Sequence, residues 1–493
     1  MDCFTRLFRK ASSNDNFLHL LYISVGLILG YLVLRFPIKY LCALFLFSLW
    51  LWIVILGKKL SVGLGTLVIS DVFFLNYLWW EKHIGNFKIS ISEVLMVFIL
   101  IFVIIENSNK NFDRSKFGFL SLLWVGYILL FLLASFYSTS FWEGFYYFMY
   151  FAVESYLVFY LTVRILRGPK HANLFFLTII LFGGFVALIS AIHFFTGRIL
   201  INAQAQAHYI AQAGEQVRTG GFLLNPNILG AFLIILFPIT FAFFLNKKNV
   251  FNKGLYGAIL LLLSFGIIVT LSRSAWLGAG VCCIIFFMFL KAAMRKLALL
   301  TLTFLVFLSV CGFGAKYGSL ITERFYSILS GDYRSAKFGE ETSVESRLII
   351  WRTTLNIIKR NPILGIGPGE YTFMARSPRY GPLPAQGYAH PHNSYLWLAA
   401  STGVPSILLF SLMIVFIARD GFHFLKQIDD VFLHTIMVAL ISGCLGFLIA
   451  SFFDFQLFRR ELNHLFWIIA GAIFAISRFR SQGKSLRQGE SSI

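Results

Sequence analysis

The chain has 493 residues, 58% of them apolar and only 13% charged, with a formal net charge of +20. Apolar runs close to the length that crosses a bilayer recur from end to end, which excludes a soluble enzyme built on one large core. The basic residues are dealt out between those runs rather than gathered on one strip, so the charge reads as membrane topology and excludes a nucleic-acid footprint.

The charged start, MDCFTRLFRKASSNDN, precedes an apolar run near 17–34. That run is longer than a signal h-region and lacks a small-residue cleavage site, so it reads as a retained first span. Further windows follow near 39–56, 62–80, 89–106, 118–137, 145–163, 174–195, 226–245, 254–271, 275–290, 297–315, 394–417, 432–453 and 464–477, predicting an all-α polytopic membrane protein of about 12–14 transmembrane helices. Alternate connections carry the basic residues: Lys58/Lys59, Lys110/Arg114/Lys116, Arg164/Arg167/Lys170, Lys247/Lys248/Lys253, Lys291/Arg295/Lys296 and Arg478/Arg480/Lys484/Arg487. That alternation predicts cytoplasmic termini, with Arg35, Lys39, Arg459 and Arg460 as exceptions. Cys42, Cys282, Cys283, Cys311 and Cys444 fall in predicted spans and Cys3 in the N-terminal tail, so neither a disulfide framework nor a Cys-ligated zinc site is expected.

Two predicted outer segments are long, 196–225 and 316–393, and long loops in compact architectures are usually functional. They divide the chain into a bundle at 1–315, an outer loop at 316–393, and the C-terminal spans with a basic tail at 394–493. Within the loop, TSVESRLIIWRTTLNIIKRNP carries a T-x-x-E capping box at Thr342 and Glu345, then Leu348, Trp351, Leu355 and Ile358 at helical spacing. This predicts an amphipathic helix over about 344–360 lying against the outer membrane-facing surface, stopped by Asn361-Pro362. GIGPGEY and RSPRYGPLPAQGY then read as turns. GIGPGEY is no phosphate loop: βαβ context is missing and Pro368 has no N–H.

The loop ends on HPHNSYLWLAAST, where His392 stands at the mouth of a span that Asn393 and Ser394 can cap. A neutral imidazole there can take a proton from a hydroxyl, or it can be an interfacial histidine bonded to a carbonyl. His390 carries the same two readings one step farther out. The pair lacks the further ligands that a metal needs. Arg273 in TLSRSAW, Arg347 at the head of the loop helix and Arg218 in QVRTGGFLLNPN are each explicable as snorkelling or solvated charges. All three are nevertheless predicted on the same side as His392, and a planar guanidinium binds phosphate oxygens bidentately, so the set suits a phosphate or pyrophosphate at the membrane surface. Asn225 and Asn227 head another span, where they either help bind an anion or cap the helix, capping being the stronger reading. Outer acids such as Glu143, Glu215, Glu345, Glu370 and Asp454 show no paired-carboxylate spacing. Among acids within predicted spans, Asp71 and Glu154 stand out, and they are the basis for an alternative of another class, a transporter of lipid-linked glycans.

In this order, RTGGFLLNPNILGAF, TLSRSAW, ESRLIIWRTTLNIIKRNPILGIGPGEY and AHPHNSYLWLAASTG resemble the O-antigen ligase and O-antigen polymerase superfamily of bacterial membrane glycosyltransferases, over about 218–417. The resemblance implies a GT-C-like enzyme, multi-pass in the bacterial cytoplasmic (inner) membrane, with its active site on the extracytoplasmic side. It would move a glycan from an undecaprenyl-pyrophosphate carrier to lipid A-core or another glycan acceptor, needing neither cofactor nor metal; polymerase and protein O-oligosaccharyltransferase activities of the same superfamily remain open. The motif arginines fall on Arg273 and Arg347 and the H-N-x-x-L histidine on His392, as catalytic candidates. Arg218, Asn225, Arg352, His390 and Asn393 are the accompanying substrate-binding candidates.

Overall fold

The computed structural model describes residues 60–77, 82–84, 87–89, 91–107, 118–197, 219–330, 344–384 and 389–479. The chain divides after Gly63 into two compact units, and the described fold is essentially that of the second, Leu64–Ile493. The spans expected at 17–34 and 39–56, and most of the 196–225 segment, lie outside the described residues.

In chain order the helices are α1 Leu60–Tyr77, α2 Ile91–Asn107, α3 Gly118–Ser135, α4 Phe141–Ile165 with a π-helical turn at Met149–Val153, α5 Pro169–Thr196, α6 Pro226–Asn246, α7 Val250–Val269 and α8 Arg273–Phe289. They continue as α9 Ala292–Ser330, α10 Val344–Arg360, α11 Glu370–Arg376, α12 Ser394–Thr402, α13 Val404–Leu425, α14 Val431–Phe452 and α15 Arg460–Ile476. A small antiparallel hairpin, β1 Lys82–Ile84 with β2 Phe87–Ile89, is the extended pairing among the described residues. Among the described residues, eight helices are long and apolar enough to cross a membrane: α3, α4, α5, α6, α7, the Ala292–Gly312 part of α9, α13 and α14. Shorter apolar stretches accompany them at Leu60–Val72, Ser92–Ile104 and Arg273–Phe289. The chain is thus an all-α polytopic membrane protein.

α6 is apolar on every side, and 94% of its spanning window is buried, so it forms the centre of the bundle. Asn225 starts it by accepting from the amides of Asn227 and Ile228, and Pro226 occupies the first turn, where its missing N–H costs nothing. α8 and α14 cross closely because small residues face each other: a Cβ on Gly278 would lie 2.6 Å from the Gly446 carbonyl oxygen and 3.2 Å from Ala450 Cβ. Ala275 and Ala450 share the next layer toward one end of the bundle. These pairs make α8 and α14 antiparallel, and they put Arg273 level with the last turn of α14.

The connections with Arg164 and Arg167, with Lys247 and Lys248, and with Lys291, Arg295 and Lys296 share one end: the ring of Phe243 meets that of Phe432 at the start of α14, Phe159 meets Phe474 one turn before Arg478, Lys291 Nζ donates to Asp429 O, and Arg478 pairs with Asp420 at 2.8 Å. The loop holding α10 and α11 covers the other end.

Three expectations need correction. The span expected at 394–417 is broken: Gly403 adopts φ 88, the Val404 amide donates to Pro362 O, and a new helix starts with Pro405 in its first turn. α12 is therefore a short helix, and the spanning segment is α13, reaching Leu425. The segment after 315 was expected as loop, but α9 continues to Ser330. α10 occupies the expected residues yet turns another face inward: Ile350, Thr353, Thr354 and Ile357 are fully buried, while Leu348 and Leu355 are 56% and 46% exposed. The inward face follows the loop's own turns, since Thr353 Oγ1 donates to Pro382 O at 2.7 Å and Asn356 Nδ2 to Tyr380 O at 3.1 Å.

The loop is latched to the bundle through Glu143 at the start of α4. Its carboxylate accepts from the amides of Tyr371 (2.7 Å) and Thr372 (3.1 Å) and from Thr372 Oγ1 (2.7 Å), capping α11 from another helix. Ser138 Oγ donates to Pro368 O at 2.7 Å, and Gly367, at φ 92, lies against the backbone of Tyr137 and Ser138, where a side chain would not fit. Glu143→Ala is expected to cost about 1–3 kcal/mol and to open this loop locally. Limited proteolysis between 361 and 384 should accelerate while cleavage elsewhere keeps its rate; equal loop cleavage in both proteins would refute the latch.

Candidate active site

Three helices at the loop-covered end begin in the same unusual way. Leu224 (φ 61), Leu271 (φ 48) and His392 (φ 48) all take left-handed backbone conformations, and each directly precedes the N-cap residue of a helix: Asn225 for α6, Ser272 for α8 and Asn393 for α12. Such a conformation costs a non-glycine residue about 1–2 kcal/mol, and it persists only where the surroundings over-determine it. The caps supply part of that constraint. Asn393, 1% exposed, accepts from the amides of Tyr395 and Leu396 at 2.9 Å. Ser272 Oγ donates to Asn227 Oδ1 at 2.7 Å, tying the first turns of α6 and α8 together.

His392 is held by a residue 62 positions later in the chain. Its Nδ1 lies 3.2 Å from Oδ1 of Asp454, in the turn between α14 and α15, and the two side chains are 22% and 12% exposed. The turn is bonded to the start of α12 as well: Ser394 Oγ donates to Asp454 O at 2.9 Å and accepts from the Leu457 amide at 3.2 Å. Asp454 accepts further from the Phe455 amide (2.8 Å) and Gln456 Nε2 (3.2 Å). Burial alone would raise its pKa, but the hydrogen bond and charge of His392, with Arg347 and His390, outweigh that and hold the carboxyl below the usual carboxylate range. The site therefore keeps an anion beside the imidazole.

α10 lies across the motif. Trp351 Nε1 donates to Pro391 O at 2.7 Å, and its ring meets that of Phe452 edge-on at 5.8 Å. Arg347 precedes Trp351 by one turn, on the same helix face, and its charge reaches both Asp454 and His390. Arg352 is exposed on α10. Arg273, first residue of α8, is half-buried, and the antiparallel crossing of α8 and α14 puts it level with the last turn of α14, the helix that leads into the Asp454 turn. Arg218 lies outside the described residues, though Thr219 directly after it donates its amide to Val269 O, close to the start of α8.

His390 is used differently from His392. It is 8% exposed, its ring stacks on Phe455 at 4.3 Å with an interplanar angle of 7°, and its Nδ1 is 3.4 Å from the His392 amide. Burial lowers its pKa well below 6.5, assisted by the charges of His392, Arg459 and Arg347 and opposed by Asp454. Below ~6.5 the unfolded chain takes up a proton at this residue that the folded chain refuses, so stability falls as pH drops through that window. Asp454 contributes its own loss only at the lower pH where carboxylates titrate. His390→Phe keeps a ring on Phe455 and should flatten the decline in melting temperature between about pH 7 and pH 5; an unchanged decline would place its origin elsewhere.

Two groups of residues escaped the sequence reading. Asp454 stood there only as an outer acid without a partner, and nothing local marks its pairing with His392. Arg460 stood as an exception to the charge bias. The structure gathers it with His464, Asp71, Glu93 and Glu154 in one buried cluster, so the two in-span acids that suggested a transporter lie within contact of a guanidinium and an imidazole. The signal available was the spacing of Arg460 and His464, one helical turn apart at the start of a helix that is apolar beyond them, together with acids in other spans that had to be neutralised.

Residues 258–411 match the family model described as O-Antigen ligase. That stretch contains Arg273, Arg347, His390 and His392, whereas Asp454 and Arg460 lie beyond it. Over 392 residues the chain is also 22% identical to the ComP-specific O-oligosaccharyltransferase of Acinetobacter baylyi, an alignment covering 77% of this chain and 67% of that protein.

Proposed function

We propose that this membrane glycosyltransferase of the O-antigen ligase superfamily moves a glycan from undecaprenyl pyrophosphate to an acceptor hydroxyl at the outer face of the bacterial cytoplasmic membrane, inverting the sugar C1. The observation that carries the reading is the His392–Asp454 pair beneath the helix that bears Arg347. With Nδ1–H donated to Asp454, the basic lone pair of the imidazole is on Nε2. Nε2 takes the acceptor's hydroxyl proton as its oxygen attacks C1, and the C1–O bond on the opposite face breaks, its electron pair leaving with the lipid pyrophosphate. Charge accumulates on that leaving oxygen as the bond breaks. Guanidinium groups fixed beside it, Arg273 and Arg347, lower the transition state more than the ground state. In this reading the arginines supply the electrophilic stabilisation, and the reaction proceeds in a chelator. The sharing of one end by the basic connections supports an outer location for the site.

The acceptor is read first as lipid A-core, as in ligases. A protein hydroxyl is the second reading, favoured by the similarity over 77% of the chain to the ComP-specific O-oligosaccharyltransferase of Acinetobacter baylyi. The test is reconstitution with one defined undecaprenyl-pyrophosphate oligosaccharide and, separately, lipid A-core, a second lipid-linked unit, and a protein rich in accessible serines, each with and without chelator. Transfer to the first or third identifies ligase or protein-modifying activity, and carrier-bound long chains identify a polymerase. Absence of transfer to every acceptor by folded protein would reject the proposal.

A further inference from the structure

The buried cluster sits one turn of chain away from the catalytic candidates. Arg460 is the first residue of α15, and it meets carboxylates from three other helices: Asp71 of α1 (3.6 Å), Glu93 of α2, and Glu154 of α4 (3.9 Å). Its guanidinium also donates to Ser92 Oγ at 2.8 Å and lies 4.5 Å from the centre of the Tyr150 ring. His464, one turn farther along α15, lies 2.8 Å from Asp71 and 3.1 Å from Glu154. Asp71 is wholly inaccessible, and Arg460 and His464 are 7% and 1% exposed. Three acids and two bases inside an apolar bundle are costly to desolvate, and apolar side chains of similar volume would serve stability as well. What such a cluster does provide is a single placement for the helix end that carries it.

That helix end is continuous with the Asp454 turn. Residues 455–459 are folded tightly: Gln456–Phe458 form a 3-10 turn, and the Arg459 amide donates to Gln456 O at 3.2 Å. Asn463 Nδ2, in the first turn of α15, donates to Leu457 O at 2.9 Å, while its Oδ1 accepts from Ser155 Oγ of α4 at 2.7 Å. On its other side the turn is bonded to Ser394, two residues from His392. The connecting segment is thus clamped between the ion cluster and the start of α12, with Asp454 between the clamps.

Resting on the function proposed above, we propose that Arg460 is a positioning residue for glycan transfer: anchored by Asp71, Glu93 and Glu154, it sets the turn that aims Asp454 at His392. The charges acting on Asp454 are those of His392, Arg347 and His390, Arg459 acts on His390, and Arg460 acts on the pair through geometry. A displacement of a catalytic group by about 1 Å costs on the order of a hundredfold in rate.

The test uses the full chain in nanodiscs, with the lipid-linked oligosaccharide and the acceptor that the wild-type protein uses. Arg460→Gln should lower kcat about ten- to a hundredfold with little change in KM. It should also displace the acid limb of the pH–kcat profile in the same direction as Asp454→Asn, and Arg460→Lys should recover part of both. Glu93→Gln, at the cluster's more accessible edge, should give a milder version and decides the matter if Arg460→Gln does not fold. Wild-type kcat and pH profile in folded Arg460→Gln would overturn the inference. So would a loss of rate that follows only the folded fraction, with an unaltered profile and no rescue by lysine. If His392→Ala and Asp454→Asn themselves turn over normally, the proposed function fails instead.

Discussion

His392→Ala is expected to lower kcat about 10²- to 10⁴-fold, the usual contribution of a positioned general base, while donor KM changes little. In the proposed mechanism the imidazole takes the acceptor proton as the new bond forms, so its loss should fall on the transition state rather than on binding. Asp454→Asn should reproduce much of the loss, because an amide can present its N–H to Nδ1 and thereby stabilise the wrong tautomer. Single-turnover measurement on folded protein, with thermal melting as the control, separates chemistry from unfolding. Near-normal turnover by His392→Ala would remove the base from the mechanism.

Arg273→Ala and Arg347→Ala should each cost about 100- to 1000-fold, or roughly 3–4 kcal/mol of barrier, as expected for one lost electrostatic donor. Lysine at either position should restore only part of the rate, because a point charge does not reproduce the bidentate fork. The double variant should lose less than the product of the single losses if both groups meet the same leaving group. The two arginines reach the site by different means. Arg273 begins a helix inside the bundle, beside the Ser272–Asn227 bond, whereas Arg347 arrives on α10, which is tied to the motif through Trp351 and Pro391. Loosening the Glu143 latch should therefore impair the contribution of Arg347 and spare that of Arg273. Activity of Glu143→Ala measured in the Arg273→Ala and Arg347→Ala backgrounds reads this: the latch variant should cost further rate in the first background and little in the second.

Much was legible in the residues themselves. The membrane class follows from the apolar runs, the alternation of basic connections from their positions, and the capping roles of Asn225 and Asn393 from asparagine directly ahead of a helix. α10 appears at the residues where its periodicity put it, yet with Leu348 and Leu355 outward. Spacing reports that a helix has an apolar stripe, but not which neighbour it meets, and here Thr353 and Asn356 bonded to the loop's own turn decide the rotation. The break at Gly403 did carry a local signal, Gly403 and Pro405 after Ser401 and Thr402, which averaging over an apolar window passes over. The Pro362 carbonyl, brought in by the loop, gives the Val404 amide its partner outside the helix.

By itself the sequence determined the helical class, the order of the motifs and the residue types able to handle a phosphate and a proton, because these depend on local composition and spacing. The pairing of His392 with Asp454, and of Arg460 with acids on three other helices, was decided by tertiary structure alone. Charges in an apolar bundle must find partners, and which partner each finds depends on how distant helices pack, a fact no window of neighbouring residues contains.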